Sequence, residues 1–304
     1  MGLNILKLHF AANTIYITIF GLIINYCAEY LPNFLTNTFL YGKFDNAKDK
    51  DRLTLKVPKR WFKHFYVFGT LWVSLFLVIS TSHYFQVINT IPSPIKNFIS
   101  YFSCDGNIAT VTAAESLVAL LLFTFQIFKR YYETHYVSVF SSSKMHIGHY
   151  YLGFFHYFGA AIAIVMESPG FSHSDHFEAA FHTRDISYKT LIASLIFFWA
   201  WWKQYESASI LANLRKNKKG VVVTDAHLIP NRGLFIYVSS PHSLCEIIIY
   251  VCLTIILSGN TTFPSVAAWV IANQIESALL SHWWYQKTFK NYPKERKAII
   301  PFFL

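Results

Sequence analysis

Charge is what this chain has least of. Asp, Glu, Lys and Arg make up only 14% of its 304 residues, against about 25% in ordinary soluble domains. Its 12 glycines are scattered, with no GxGxxG and no GxxxxGK[ST], so a glycine-cradled Rossmann or P-loop nucleotide site is excluded. GxSxG, HExxH and the HxxHH boxes of membrane desaturases are also absent. The four cysteines form neither a CxxC nor a Cys/His zinc spacing. Cys27 and Cys104 lie at the ends of apolar runs and Cys245 and Cys252 inside one, so they read as small hydrophobes. What fills the chain instead is 54% hydrophobic residues, with 29 Phe and 19 Tyr. A soluble globule and a disordered chain are both ruled out.

A helical membrane span needs about 20 mostly apolar residues. Seven stretches qualify: 9–30, 64–88, 109–128, 147–166, 186–205, 241–258 and 263–286. The first is too long and too polar-flanked for a cleaved signal peptide, and the Met-Gly start lacks the Ser or Thr at residue 6 that myristoylation needs. The fold class expected is therefore an all-α integral membrane protein of seven transmembrane helices. Eight Lys/Arg fall in 31–63, three in 129–146, six in 203–240 and five after 286, whereas the other side receives only Lys7, Lys96, Arg184 and Lys189. An odd number of spans with this asymmetry puts the N-terminus in a lumen and the C-terminus in the cytosol. The net charge of +10 is cut into short segments between greasy runs, which suits membrane lipid headgroups and not nucleic acid. Asn260-Thr261-Thr262 is a glycosylation sequon, in a lumenal loop too short for modification to be expected.

Polar groups inside the spans need a reason, because a carboxylate there costs about 2.5–3.5 kcal/mol on insertion scales. Glu246 is one, with His242 a turn earlier on the same helical face; pairing between helices could explain both, but a polar pocket reached from the cytosol is the better reading because the pair sits at the cytosolic end of its span. The last span carries Asn273, Gln274 and Glu276 and closes on Ser281-His282-Trp283-Trp284-Tyr285. The chain then ends on Ile-Ile-Pro-Phe-Phe-Leu, which must pack back and hold Arg296 and Lys297 against the bundle. His146, His149 and His156 share one helical face, and His173, Asp175, His176 and His182 crowd one lumenal segment. The first set lacks the carboxylate partners of a metal cage on its helix, and the second, which could be a metal site, reads better as a solvated polar loop, so no metal is expected. Arg130, Arg215, Arg232 and the tail cations share the cytosolic face with many tyrosines. Such a cluster suits either a phosphate-bearing ligand such as NADPH or anionic lipid headgroups.

Five strings carry a resemblance to a known family: VPKRWFKHFY (57–66), KRYYETHYVSVFS (129–141), ILANLRKNKKGVV (210–222), IPNRGLFIYVSSPHSLCE (229–246) and SHWWYQKTFKNYPKERKAIIPF (281–302). The chain resembles the steroid 5-alpha-reductase family, and VPKRWF with VSSPH favours its polyprenol reductase branch. The resemblance implies a single polytopic domain over 1–304, an NADPH cofactor and a cavity open to the cytosol of the endoplasmic reticulum. Residues 1–140 would supply the substrate side and 141–304 the NADPH-binding region. By motif position Arg130, Arg215, His242, Glu246, Tyr285, Tyr292, Arg296 and Lys297 are the implied cofactor residues, with His282, Tyr285 and Glu246 implied in catalysis. Two positions depart from the steroid enzymes: Gln126-Ile127 stands near their substrate-carbonyl tyrosine, and Ala208 replaces an aspartate.

An isolated alkene gives a developing carbanion no sink, whereas a conjugated aldehyde moves that charge to oxygen. The implied substrate is therefore a long polyprenal drawn from the bilayer, on the route to dolichol, in preference to the polyprenol, with His282 or Tyr285 as proton donor. A 3-oxo-steroid or enoyl-thioester reductase, a membrane methyltransferase of related architecture, and a non-enzymatic scaffold or transporter are the competing readings.

Overall fold

Capping residues decide where the apolar runs become helices. In the computed structural model, which describes residues 3–32, 36, 55–103, 108–141, 143–172 and 177–304, α1 (Ile5–Cys27) starts at Asn4, whose side-chain oxygen accepts from the Lys7 N–H at 2.9 Å. Strand β1 (Lys56–Pro58) leads through a 3-10 turn into α2 (Phe62–Tyr84), and short α3 (Ser93–Ser100) follows. A reciprocal capping box between Thr112 and Glu115 opens α4 (Ala113–Tyr132), which ends in a π turn over Glu133–Val137. Strand β2 (Lys144–His146) precedes α5 (Ile147–Val165). Ser187 caps α6 (Tyr188–Asn213), and prolines in the first turn open α7 (Pro241–Ile256) and α8 (Phe263–Thr288).

Each of the seven apolar runs is thus a long helix. The third begins four residues later than expected because Thr112 caps it, and the fifth runs on to Asn213 because Glu206-Ser-Ala-Ser-Ile-Leu-Ala, free of Gly and Pro, continues the helix past the apolar run. The antiparallel pairing of β1 with β2, Val57 opposite Met145, and helix α3 were not expected. The charged turn at Lys216–Gly220 closes a small hairpin, Lys216 bridging Val222, with Gly220 at φ +78°.

The seven long helices alternate in direction. At one end the Asn4 amide donates to Thr262 (2.7 Å), Lys189 pairs with Glu115 (3.2 Å) and donates to Ser258, and the Tyr84 hydroxyl donates to the Pro169 carbonyl (3.2 Å). These contacts gather the starts of α1, α4, α6 and α8 with the ends of α2, α5 and α7. The first and last helices run parallel and pack closely. A Cβ on Gly21 of α1 would lie 2.4 Å from the Glu276 Cγ of α8, so only glycine leaves room for that carboxylate. Gly69 serves α2 similarly: a Cβ there would lie 2.4 Å from an Ile127 methyl of α4 and 2.9 Å from the Tyr157 ring of α5. The core runs along the inner face of α5, where Ala160 to Met166 are fully buried.

A buried carboxylate ties this end together. Glu167, 2% exposed, accepts from the hydroxyls of Thr110 (3.0 Å), Thr261 (3.2 Å) and Thr262 (2.6 Å) and from the N–H groups of Thr261 (2.7 Å) and Thr262 (3.0 Å). Removing it would leave four of these donors without an acceptor in a dry site and the Thr262 N–H with Asn260 alone. Glu167→Ala is expected to cost about 3 kcal/mol, read as a lowered Tm in detergent, with Glu167→Gln between the two. Beside it the sequon asparagine is consumed by the fold: Asn260, 2% exposed, donates to the Ala163 carbonyl (2.8 Å) and accepts from the N–H groups of Thr262 and Phe263. The acceptor nitrogen of the sequon therefore has no path to a glycan.

The outward faces are apolar. Leu8, Ile15, Ile19 and Leu22 of α1 and Leu191, Ile192, Leu195 and Trp199 of α6 are all exposed, far more than a soluble surface tolerates in one patch. By length and hydropathy alone, Ile5–Tyr30 and Lys59–Tyr84 are apolar enough to cross a bilayer, and Pro241–Ile256 is apolar but shorter. Of the other long helices, α4, α6 and α8 carry amides and charges, and α5 carries histidines, tyrosines and glycines among its apolar residues.

Candidate active site

At the opposite end the bundle opens into a cavity of about 430 Å3, within the range of ligand sites. Its wall takes Arg130 from α4, His149 from α5, Ala208, Leu211 and Ala212 from α6 with Arg215 just beyond it, His242 from α7, and Asn273, Ser281 and Tyr285 from α8, together with Gly21 of α1. Four residues singled out in the sequence, Arg130, Arg215, His242 and Tyr285, are thus brought together on one wall.

Each cation on that wall is fixed by its neighbours. Arg130 lies over the Tyr66 ring at 5.4 Å, donates to the Tyr66 hydroxyl (3.1 and 3.3 Å) and pairs with buried Glu133 of the π turn. That turn brings the carboxylate back under the guanidinium. Arg215, just past the end of α6, donates to the carbonyls of Val139 (2.7 Å) and Ala226 (3.3 Å), tying two connecting segments to the rim.

Glu246 lies one turn deeper than His242. Its carboxylate accepts from Gln126 of α4 at 2.9 Å and from Gln204 of α6, while the Gln204 oxygen accepts from Gln126 (2.9 Å) and Lys129 (2.5 Å). The amides thus bridge a buried ammonium to a carboxylate, so neither charge is left uncompensated. The inter-helix reading of Glu246 describes these contacts. Lys129, 5% exposed, points inward although its sequence neighbourhood suits a headgroup-facing cation. Lys129 is read from the sequence with Arg130 as one of the cytosolic-face cations, and Gln204 was missed; a Lys-Gln pair at 203–204 amid an aromatic run was the available signal.

The C-terminal segment packs back as its apolar end requires. Val238 and Lys297 form a parallel bridge, with Lys297 N–H donating to the Tyr237 carbonyl (3.0 Å) and the N–H groups of Ser239 and Ser240 donating to the carbonyls of Lys297 (2.8 Å) and Ala298 (3.2 Å). Ile299 is fully buried, whereas Phe302 and Phe303 are exposed. Tyr292 stacks on Tyr285 (centroids 5.4 Å apart, planes 14° apart), and the Arg296 guanidinium sits 5.1 Å above Tyr292. Arg296 is 4% exposed, yet its Nε and Nη1 meet no hydrogen-bond partner among the described residues. His282, also buried, lies behind Ser239, with its Nδ1 2.7 Å from the serine hydroxyl and its Nε2 2.9 Å from the Gln286 amide. Glu246, His282, Tyr292, Arg296 and Lys297 are therefore behind or beside the wall and not part of it, whereas Ser239 and Ser240, missed in the sequence, are on it.

The tempting histidines have separate jobs. His146 caps α5 through the Gly148 N–H (3.1 Å), His149 lines the cavity, and His156 bonds the Tyr250 hydroxyl (2.5 Å) deep in the core. Among the described residues no three His, Cys, Asp or Glu converge as a metal-ligand set. His182 pairs with Glu178; His173, Asp175, His176 and Cys104 lie outside the described residues.

A family model described as 3-oxo-5-alpha-steroid 4-dehydrogenase matches residues 154–304. The polyprenal reductase of Drosophila melanogaster is 36% identical, over 99% of this chain and 94% of its own length. That of Caenorhabditis elegans is 35% identical over 94% and 91%, and that of Homo sapiens 32% over 81% and 77%. The chain belongs to the steroid 5-alpha-reductase family. Within this family member the matched segment holds α6, α7, α8 and the packed tail, most of the cavity wall. The two departures from the steroid enzymes also have a place here. Gln126 is spent on Glu246 and Gln204, and Ala208 lies on the cavity wall, where its small side chain leaves open space.

Proposed function

We propose that this chain is an NADPH-dependent reductase that saturates the α-isoprene double bond of a polyprenal on the route to dolichol. The observation that carries the reading is likeness to polyprenal reductases along nearly the whole chain, including every element of the cavity wall. The cofactor assignment is supported by the donor set. Arg130 and Arg215 stand on the wall, and beside it Arg296 is a buried guanidinium with two nitrogens unspent. That chemistry suits phosphate oxygens.

NADPH, when bound, supplies a hydride to the β-carbon of the conjugated aldehyde, whose oxygen takes up the charge. The chain must hold the dinucleotide, donate a hydrogen bond to the forming enolate oxygen and deliver a proton to the α-carbon. Arg130, Arg215, Arg296 and Lys297 would bind the phosphate end, with Tyr292 fixing Arg296, and His242 would flank the nicotinamide end. Tyr285, on the wall and with its ring stacked on Tyr292, is the residue placed to hold the proton. Glu246, through Gln126 and Gln204, fixes the floor under His242.

The seven long helices would cross the endoplasmic reticulum membrane, with the N-terminus lumenal and the cavity open to the cytosol. Supporting this, Arg130, Arg215 and the tail cations lie at the cavity end and Lys189 at the other. The exposed apolar faces would meet lipid, from which the isoprenoid enters. Purified protein in detergent should oxidise NADPH in the presence of polyprenal and far more slowly with the polyprenol; equal rates would refute the electronic argument. The family model's own description gives one second reading, a 3-oxo-steroid substrate. A competition assay in which a steroid enone displaced polyprenal as the preferred substrate would favour it.

A further inference from the structure

The hydroxyl of Ser239 joins three elements. It donates to the Lys297 carbonyl at 3.1 Å and lies 2.5 Å from the Tyr292 hydroxyl and 2.7 Å from His282 Nδ1. A serine has one proton to give and two lone pairs to fill. The carbonyl can only accept, so with the serine proton on Lys297 the other two contacts are donations from the Tyr292 O–H and the His282 Nδ1–H. The opposite ring nitrogen, Nε2, accepts from the Gln286 amide at 2.9 Å. Every donor and acceptor in this chain is then satisfied with His282 neutral and protonated on Nδ1. A ring in that state has one proton, spent on Ser239, which stands between it and the cavity, and one lone pair, already used. It is poorly arranged to protonate a substrate and well arranged to hold a serine.

We propose that His282 is a positioning residue that, through Ser239, locks Tyr292 and the strand around Lys297 against the cavity so that Arg296 is presented to the dinucleotide. The inference rests on the NADPH reading above for its ligand but not for its local geometry. Ser239 is itself on the cavity wall, and its backbone N–H also donates to the Lys297 carbonyl, so main chain and side chain clamp the same point. Tyr292 bears on both neighbours that matter. Tyr285 stacks on one side of the network, and Arg296 lies over the ring. Loosening the hydroxyl of Tyr292 therefore moves a cavity aromatic and a buried cation together.

The test uses full-length protein in detergent and three readouts: hydrogen–deuterium exchange of the 289–301 peptide without ligand, the equilibrium Kd for NADPH, and the pH profile of kcat. His282→Asn keeps an amide N–H where Nδ1–H stood, whereas His282→Gln reaches the Nε2 position instead. Expected are faster exchange over 289–301 in His282→Ala and Ser239→Ala, and an NADPH Kd raised about tenfold, the size of one lost buried hydrogen bond. The loss should fall on KM for NADPH more than on kcat, and the pH profile should keep its shape. His282→Asn should recover slow exchange and most of the affinity, and His282→Gln should not. Should His282→Ala fail to fold, the Asn and Gln pair decides alone. Wild-type exchange and wild-type Kd in the variants, with kcat down about 100-fold and one limb of the pH profile lost, would make His282 the proton donor and overturn the proposal. Absence of NADPH binding in the wild type would refute the cofactor reading, and the exchange comparison would still judge the clamp.

Discussion

Arg296→Met is expected to make the ligand-free protein more stable while nearly abolishing dinucleotide binding. The guanidinium is 4% exposed, and two of its nitrogens meet no acceptor among the described residues. Its contact with the Tyr292 ring at 5.1 Å offsets only part of the desolvation cost of a buried cation. Methionine fills similar volume and can lie against the same ring. A gain of about 2 kcal/mol is expected in the unliganded state, seen as a raised Tm in detergent. Calorimetric titration with NADPH should show the opposite, a Kd weakened about 100-fold, because charge-assisted hydrogen bonds to phosphate contribute roughly 1.5–3 kcal/mol each. A lowered Tm without ligand would mean that the ring contact outweighs the buried charge and that Arg296 is structural.

The second large effect concerns Tyr285. Tyr285→Phe keeps the ring stacked between Tyr292 (5.4 Å) and Phe289 (5.8 Å) and removes only the hydroxyl. If that hydroxyl carries the proton for the α-carbon, kcat with polyprenal should fall about 1,000-fold while the Kd for NADPH changes by no more than about threefold. Single-turnover measurements at saturating NADPH separate the two. A weakened Kd with kcat intact would make the phenol a binding contact and move the proton elsewhere on the wall.

The helices were legible because a run of apolar residues of bilayer length has few other uses, and seven such runs became the seven long helices. The return of the tail was legible too, since Ile299 had nowhere else to go and is fully buried. The pairing of Lys56–Pro58 with Lys144–His146 was not. Each strand has three residues, and the partners are far apart in sequence. Lys129 was placed with the headgroup cations because charge and position along the helix say nothing about rotation; the inward turn is set by Gln204 and Trp201, which accept from its ammonium. Ser239 carried no chemical signal of its own. A small residue before Ser-Pro gains meaning only when His282, Tyr292 and Lys297 close around it. On the candidate site, Arg130, Arg215, His242 and Tyr285 were read from motifs and share the wall, while the depth of Glu246 depended on which amides face it.

The uneven greasiness of the long helices bears on how such a chain is assembled. Among the described residues, only the stretches Ile5–Tyr30 and Lys59–Tyr84 have the length and hydropathy to cross a bilayer on those grounds alone. Helices α4 and α6 carry Gln126, Lys129 and Gln204, which meet one another and Glu246 of α7. In a bilayer these segments would leave the insertion machinery poorly as individuals and well as a group, so biogenesis would wait for α7. A substitution that breaks this amide bridge should therefore lower the yield of inserted protein before it touches turnover.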